Sequence, residues 1–336
     1  MQAAFGDTVQ VDTLLAGRFR RYHAVSIWEQ LRHPLTIVVP NITDIGKVAA
    51  GTLQALWRLL WWRPDVIFAK GGFVCLPIGI AARMLHIPLV IHDSDAHPGL
   101  TNRILSRWAK KIATGAPLEY YSYPESRAYY VGIPVDASLA PPTVAEQATL
   151  RAKLGFDGSR PLLLVTGGGL GAVRLNNAVV KVLPQLLQQT SVALIAGTTQ
   201  YAELRQELGE DTKDFQLHDF VSNMHEFMAA ADVVVSRAGM TAVTELAMLA
   251  RPTILVPNAY LTGGHQTKNA AVYTNANAAL AVDEEALAAG ELGGVIQELL
   301  ASEERRRELS RNIHQLAKPH AARDVAKLIL DENDTM

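Results

Sequence analysis

The chain has 336 residues and a single cysteine, Cys75, which excludes an internal disulfide and suits a reducing compartment. Charged residues are sparse at 19% while hydrophobic ones reach 49%, which excludes a disordered chain and indicates a globular one. No apolar run is long enough to span a bilayer; the best are interrupted by Arg58, Arg83 and His86. The N-terminal MQAAFGDTVQVD has neither a basic n-region nor an apolar h-region, so it reads as having no secretory signal. A cytoplasmic location is expected.

The formal net charge of −2 conceals an asymmetry. Residues 1–111 hold 13 Lys+Arg against 7 Asp+Glu, whereas the remainder holds 18 against 26. A basic first part suits an anionic partner, either a phosphorylated ligand or a membrane surface; dispersed surface charge is the alternative.

What is abundant is alternation. VQVDTLL (9–15), DVIFA (65–69), PLVIH (88–92) and KIATG (111–115) read as strands of a first half. PLLLVTG (161–167), SVALIAG (191–197), DVVVS (232–236) and PTILVP (252–257) read as strands of a second, with helical spacing between most of them. This pattern predicts an α/β protein with two doubly wound parallel sheets facing a cleft. PVDASLAPPTVAEQ (134–147) reads as the linker, giving domains over 1–135 and 136–315. After Lys318-Pro319, the helix within 316–336 is expected to pack back on the first domain.

The stretch VTGGGLGA (165–172) is a glycine turn between a strand and a helix, where backbone amides can approach a phosphate. A dinucleotide site would need an acidic residue ending the next strand, and SVALIAGTT has none, which disfavours NAD. A turn that merely permits tight packing stays open for this loop alone. A second turn, SRAGMTAVTELAMLARP (236–252), places Gly239 before a helix start, with Glu245 about a turn further on. Free amides there favour a diphosphate, and the carboxylate suits ribose hydroxyls. LTGGHQTKNA (261–270) sets His265, Gln266 and Asn269 near a third helix start, where they suit sugar hydroxyls.

The order GGGLGA, DFVSNM, SRAGMTAVTE, HQTKNA resembles the nucleotide-sugar half of GT-B glycosyltransferases. RPDVIFAKGGFVCLPIGIAARMLHIPLVIHDSDAHPGLTNR (63–103) resembles the acceptor domain of the MurG family, which makes the lipid-linked precursor of peptidoglycan. The resemblance implies two Rossmann-like domains and inverting transfer of N-acetylglucosamine from UDP-GlcNAc to undecaprenyl-diphospho-muramoylpentapeptide. It implies no cofactor beyond that donor, and neither a metal nor a nucleic acid as partner. Gly168, Gly169, Leu170 and Gly171 with Gly239, Met240, Thr241 and Ala242 would cradle the diphosphate. Phe220 and Val221 would meet the uracil, Glu245 the ribose, and His265, Gln266 and Asn269 the sugar. Gly71, Gly72, His92, Asp93, Asp95, Thr101 and Asn102 fall on the acceptor side.

Departures are specific. The family opens with a strand, a GGTGGH-like loop whose histidine is the usual base, and a helix; nothing like that loop precedes Gly71. The chain therefore reads as N-terminally truncated, its first domain lacking its first strand-helix unit. The catalytic base is left open, with His92 and His97 the nearest substitutes. Gly169-Leu170 replaces a Ser-Gln pair, Ile133 and Asp136 replace an Asn and an Arg, and HDSD replaces HEQN. Asp93-Ser94-Asp95 resembles a D-x-D cation motif but sits in the opposite half from a nucleotide domain, so no metal is expected.

In GTLQALWRLLWWRP (51–64), Leu53, Leu56, Trp57, Leu60 and Trp61 share one helical face beside Arg58 and Arg63. Trp and Arg together suit a helix lying at an anionic membrane interface, with a helix buried against the sheet as the alternative; the family resemblance, which implies peripheral attachment at the cytoplasmic face, favours the first. Two other functions remain: a truncated relative that binds UDP-sugar without turnover, and a UDP-GlcNAc 2-epimerase. The latter needs acid/base carboxylates near the sugar, and 258–270 offers none.

Overall fold

The structure, a computed structural model, describes residues 9–17, 39–168, 171–260 and 264–331. Among them the first sheet is formed by β1 (Ile67–Ala69), β2 (Leu89–Asp93), β3 (Lys111–Thr114) and β4 (Ala128–Tyr130), in that spatial order and all parallel. Its helices are α1 (Val39–Trp62), α2 (Cys75–Met84) and α3 (Leu100–Leu105). Parallel strands need crossovers, and α2 and α3 supply those flanking β2.

The second half begins with α4 (Val144–Lys153) and runs β5 (Leu162–Thr166), α5 (Val173–Leu186), β6 (Ser191–Ile195), α6 (Tyr201–Leu208), β7 (Phe215–His218) and α7 (Met224–Ala230). It continues with β8 (Val233–Ser236), α8 (Met240–Met248), β9 (Thr253–Leu255), α9 (His265–Asn275), β10 (Leu280–Ala281), α10 (Glu284–Ala289), α11 (Leu292–Ala301) and α12 (Glu303–Gln315). The six strands are parallel in the order β10-β9-β8-β5-β6-β7. Every residue of β5, β6 and β8 is buried, because helices cover both faces. Alternate residues feed opposite layers: Leu162, Leu164 and Val234 one, Leu163, Val165, Val233 and Val235 the other. Each such side chain contributes about 1.5–3 kcal/mol on burial.

The chain then returns. α13 (Ala321–Leu330) sets Val325 and Leu328 against Ala113 of β3 and Val131. Ala96, Ala116 and Ile133 of the first half join the same buried cluster as the second sheet, so the halves share apolar contact beneath the cleft.

Three sequence-based expectations need correction. Residues 9–15 alternate like a strand but form none; the segment lies along α1, with Gln54 and Arg58 hydrogen-bonded to the Thr13 carbonyl at 3.2 and 3.0 Å. Gly51 permits this crossing, since a Cβ there would sit 1.9 Å from the Leu15 oxygen. The stretch 134–147 is irregular only to Thr143, which starts α4 through a reciprocal capping box with Glu146. Strands β4, β7 and β10 were not anticipated. The expected lack of a first strand-helix unit concerns the start of the chain, where residues 1–8 and 18–38 lie outside the described residues.

Candidate functional site

The loops leaving β5, β8 and β9 emerge at the carboxyl edge of three neighbouring strands, the place where open α/β sheets bind ligands. Thr166 is in register with Ser236, and the Arg237 amide donates to the Thr166 carbonyl at 3.3 Å, so the two glycine turns are joined. Gly168 and Gly171 have φ of +80° and +73°, and a Cβ on Gly171 would lie 2.5 Å from the Ala196 oxygen. The positive φ favours glycine at both positions, and at Gly171 the lack of space requires it as well. Gly169 and Leu170 lie outside the described residues.

Gly239 caps α8 with no side-chain partner, and Val243 is the first amide to reach a helical acceptor, the Gly239 carbonyl at 3.1 Å. The amides of Met240, Thr241 and Ala242 therefore have no acceptor within the helix, and those of Val173 to Leu175 are placed likewise at α5. Two such ends favour an anion. A cavity of about 430 Å³ lies at the start of α5, lined by Gly167, Gly171, Arg174, Arg237, Tyr260 and Gln266 among others; Gly239 to Ala242 are not in its lining.

The arginine of SRAG belongs to this site although its sequence context gives it no distinct signal. Arg237 is buried, donating to the Val256 carbonyl at 2.9 Å and to Glu284 at 3.1 Å. Arg174 meets the other oxygen of Glu284 at 3.3 Å and lies 4.2 Å from the Tyr260 ring centre. Two guanidinium groups sharing one carboxylate leave an excess of positive charge beside the helix starts. Glu284 and Tyr260 carry no sequence signal that would have linked them to this place.

Glu245 lies further along α8, with Oε1 3.2 Å from His225 Nε2. Phe220 is exposed and Val221 buried in the turn after β7, but the Phe220 amide already donates to Asp219 at 2.7 Å. Gln266 accepts from the Asn258 amide at 2.8 Å on the cavity wall, and His265 opens α9 beside it.

The acceptor-side residues gather around a cavity of about 310 Å³ lined by Lys70, Gly71, Gly72, Asp93, Asp95, Thr101 and Asn102. Asp93 is buried and accepts from the Tyr123 hydroxyl at 2.7 Å. Burial raises its pKa to about 6, while hydrogen bonds from Tyr123, Asn102 and the Gly99 amide pull the other way. Asn102 Oδ1 is buried on this wall without a hydrogen-bond partner, an acceptor suited to a hydroxyl.

His92 is not in the cavity wall. Its ring is fully buried, with Nε2 donating to the Gly132 carbonyl at 2.8 Å and Nδ1 3.3 Å from Ser94. Burial lowers its pKa, so it holds β2 to the turn after β4 as a neutral ring. It is unsuited to be the base. His97 Nδ1 faces the Lys268 ammonium at 2.9 Å, across the cleft.

Asn269 also departs from expectation. Rather than facing a sugar, it is fully buried and spans the two halves. Its Oδ1 accepts from the Ala96 amide at 2.8 Å, while Nδ2 donates to Asp95 at 2.9 Å and to the Ala238 carbonyl at 3.0 Å. The two acids of D-x-D thus have separate partners, Tyr123 and Asn269. Asp136, which would oppose a diphosphate if it pointed inward, is exposed and bonded to Ser138.

The matches with known proteins agree with this geometry. The glycosyltransferase family 28 N-terminal domain matches residues 6–114 and the C-terminal domain residues 162–329. A Salinibacter ruber protein named UDP-N-acetylglucosamine–N-acetylmuramyl-(pentapeptide) pyrophosphoryl-undecaprenol N-acetylglucosamine transferase is 34% identical over 308 residues, 89% of this chain and 82% of its own. An Exiguobacterium relative of the same name is 33% identical, over 80% of this chain and 74% of its own. The chain belongs to the MurG family of glycosyltransferase family 28. The crystal structure of Acinetobacter baumannii MurG matches at 26% identity with a TM-score of 0.70, covering 86% of this chain and 79% of that one. A Neisseria meningitidis UDP-GlcNAc 2-epimerase matches at 13% identity and a TM-score of 0.61, which shows the shared GT-B fold alone.

Within this MurG-family fold, α1 buries Val48, Gly51, Ala55 and Leu59 on one side. Leu53, Trp57, Leu60 and Trp61 are exposed on the other, joined by Ile42 and Ile45, while Leu56 is partly buried. The exposed Trp57 and Trp61 rings lie 5.8 Å apart. No helix among the described residues is long and apolar enough to cross a membrane.

Proposed function

We propose that this chain transfers N-acetylglucosamine from UDP-GlcNAc to undecaprenyl-diphospho-muramoylpentapeptide, with inversion, at the cytoplasmic face of the membrane. The observation that carries this reading is the pair of unlike walls that Asn269 links through Asp95 and Ala238. One wall has open helix starts and paired arginines; the other has a buried carboxylate and an orphaned amide oxygen.

On the donor side, the amides of α8 and α5 hold the diphosphate and stabilise the charge that develops as UDP leaves. Glu245 takes the ribose, the Phe220–Val221 turn the uracil, and Gln266 with His265 the sugar. On the acceptor side, Asn102 Oδ1 receives a sugar hydroxyl. Asp93 is the general base: its raised pKa lies near neutral pH, where a base removes a proton most effectively. Inversion follows from direct attack of that hydroxyl on the anomeric carbon. The exposed face of α1 rests on an anionic membrane, bringing the cleft to its lipid-linked acceptor.

The test is incubation with UDP-GlcNAc and the lipid-linked acceptor, following UDP release and the disaccharide product. Equal amounts of both are expected. UDP-GlcNAc binding by calorimetry without either product would leave a binding protein, and absence of binding would remove both readings.

A further inference from the structure

The donor crevice uses the carboxyl edge of the second sheet. At the opposite edge, where β8 and β9 begin, a larger cavity of about 610 Å³ opens between α4 and α12. Its lining includes five arginines, Arg151, Arg251, Arg306, Arg307 and Arg311, against two acids, Asp232 and Glu303. Both acids are already matched: Asp232 with Arg151 at 2.6 Å, Glu303 with Arg307 at 2.5 Å. Three cations therefore remain without a carboxylate of their own in the cavity.

Arg251 is the most telling of these. It is 8% exposed, and its bonds go to the neutral carbonyls of Leu249, Ala229 and Ala231 at 2.9–3.3 Å. Burial brings its pKa down to about 10, with Arg151 adding to the effect and the nearby Asp232 carboxylate, already paired with Arg151, opposing it. Arg306 likewise donates to the carbonyls of Leu299 and Leu300. Arg311 projects from the same helix and feels the Glu308 carboxylate, which is itself bonded to Arg305 and lies outside the cavity lining.

We propose that this cavity binds a small oligophosphate, at a site separate from the donor crevice. Guanidinium forks match phosphate oxygens in pairs, and three unmatched cations suit a ligand with about that many negative charges. The volume falls in the range of small-molecule sites, roughly 300–1,000 Å³. Inorganic pyrophosphate and the phosphate chain of a nucleotide share this chemistry.

The test uses the full chain with the donor crevice filled by saturating UDP. Calorimetric titrations with sodium pyrophosphate and with ATP at low ionic strength are each expected to show a single saturable site weakened by salt. Arg307→Glu with Arg311→Glu, both on an outer helix face, should weaken binding by about tenfold or more. Tighter binding of ATP identifies a nucleotide ligand, and similar affinity an inorganic one. The proposal is overturned if no saturable binding appears with UDP present, or if the charge-reversed protein, still folded by circular dichroism, binds equally well.

Discussion

Replacing Asp93 with asparagine is expected to make the protein more stable and less active at the same time. The carboxyl is buried in the acceptor wall, and its pKa rises from 3.8 to about 6, mainly through burial. A shift of about two pH units corresponds to roughly 3 kcal/mol between folded and unfolded states. The sign follows from which form the fold prefers. Below the unfolded pKa both states hold the proton, and the stabilisation that goes with it is complete. As pH rises through about 6, the folded protein must ionise a group it holds better protonated, and that stability is lost. Asparagine never ionises, and its oxygen can still accept from the Tyr123 hydroxyl.

Urea unfolding of both proteins at about pH 4.5 and about pH 8 tests this. The variant should gain up to about 3 kcal/mol at the higher pH and much less at the lower. Its turnover should fall about 10²–10⁴-fold through loss of the base. An equal difference at both pH values, or a less stable variant at the higher one, would refute the electrostatic reasoning. Full activity in the variant would remove Asp93 as the base and leave its burial a structural matter.

Two further predictions concern the donor pocket and the outer face of α1. Glu245→Ala should weaken UDP binding by about 1.5–3 kcal/mol in calorimetry, the cost of losing a charged hydrogen-bond partner; unchanged affinity would place the ribose elsewhere. Trp57→Ser with Trp61→Ser should reduce sedimentation with anionic vesicles while unfolding stability stays within about 0.5 kcal/mol, since both rings are exposed. A large stability loss would mean that the face packs against protein instead.

The parts of the fold legible in the sequence are those where burial forces a pattern. LLLVT and VVVS are continuous apolar runs because helices cover both sides of a parallel sheet. The missed strands β4, β7 and β10 all lie at sheet edges, where AYY, FQLH and LA need no such run. Residues 9–15 show the opposite failure: alternation without a partner strand, fixed instead by side chains of α1. The start of α4 is legible in the sequence, since Thr143 and Glu146 have capping-box spacing. In the site, the glycine turns and helix starts were readable as local chemistry. The pairing of Arg237 and Arg174 through Glu284 was not, because it depends on contacts 47 and 110 residues apart.

Asn269 shows how a motif residue can acquire a different duty from its tertiary surroundings. All its polar atoms are satisfied by protein, across a separation of 173 residues to Ala96. The bonds join the acceptor loop to the turn that opens α8. Asn269→Ala strands a buried amide and a buried carbonyl, costing about 2–4 kcal/mol in unfolding experiments. Asp95→Ala removes one acceptor and should cost less, whereas Asp95→Asn keeps an oxygen for Nδ2 and should be nearly neutral. The double variant of Asn269→Ala with Asp95→Ala should therefore cost less than the two singles added, which measures the bond directly. UDP affinity should change little, because its proposed contacts lie within the second half, while turnover should drop as the walls separate. If UDP affinity fell as steeply as turnover, with unfolding unaffected, Asn269 would be a donor ligand and not a clasp.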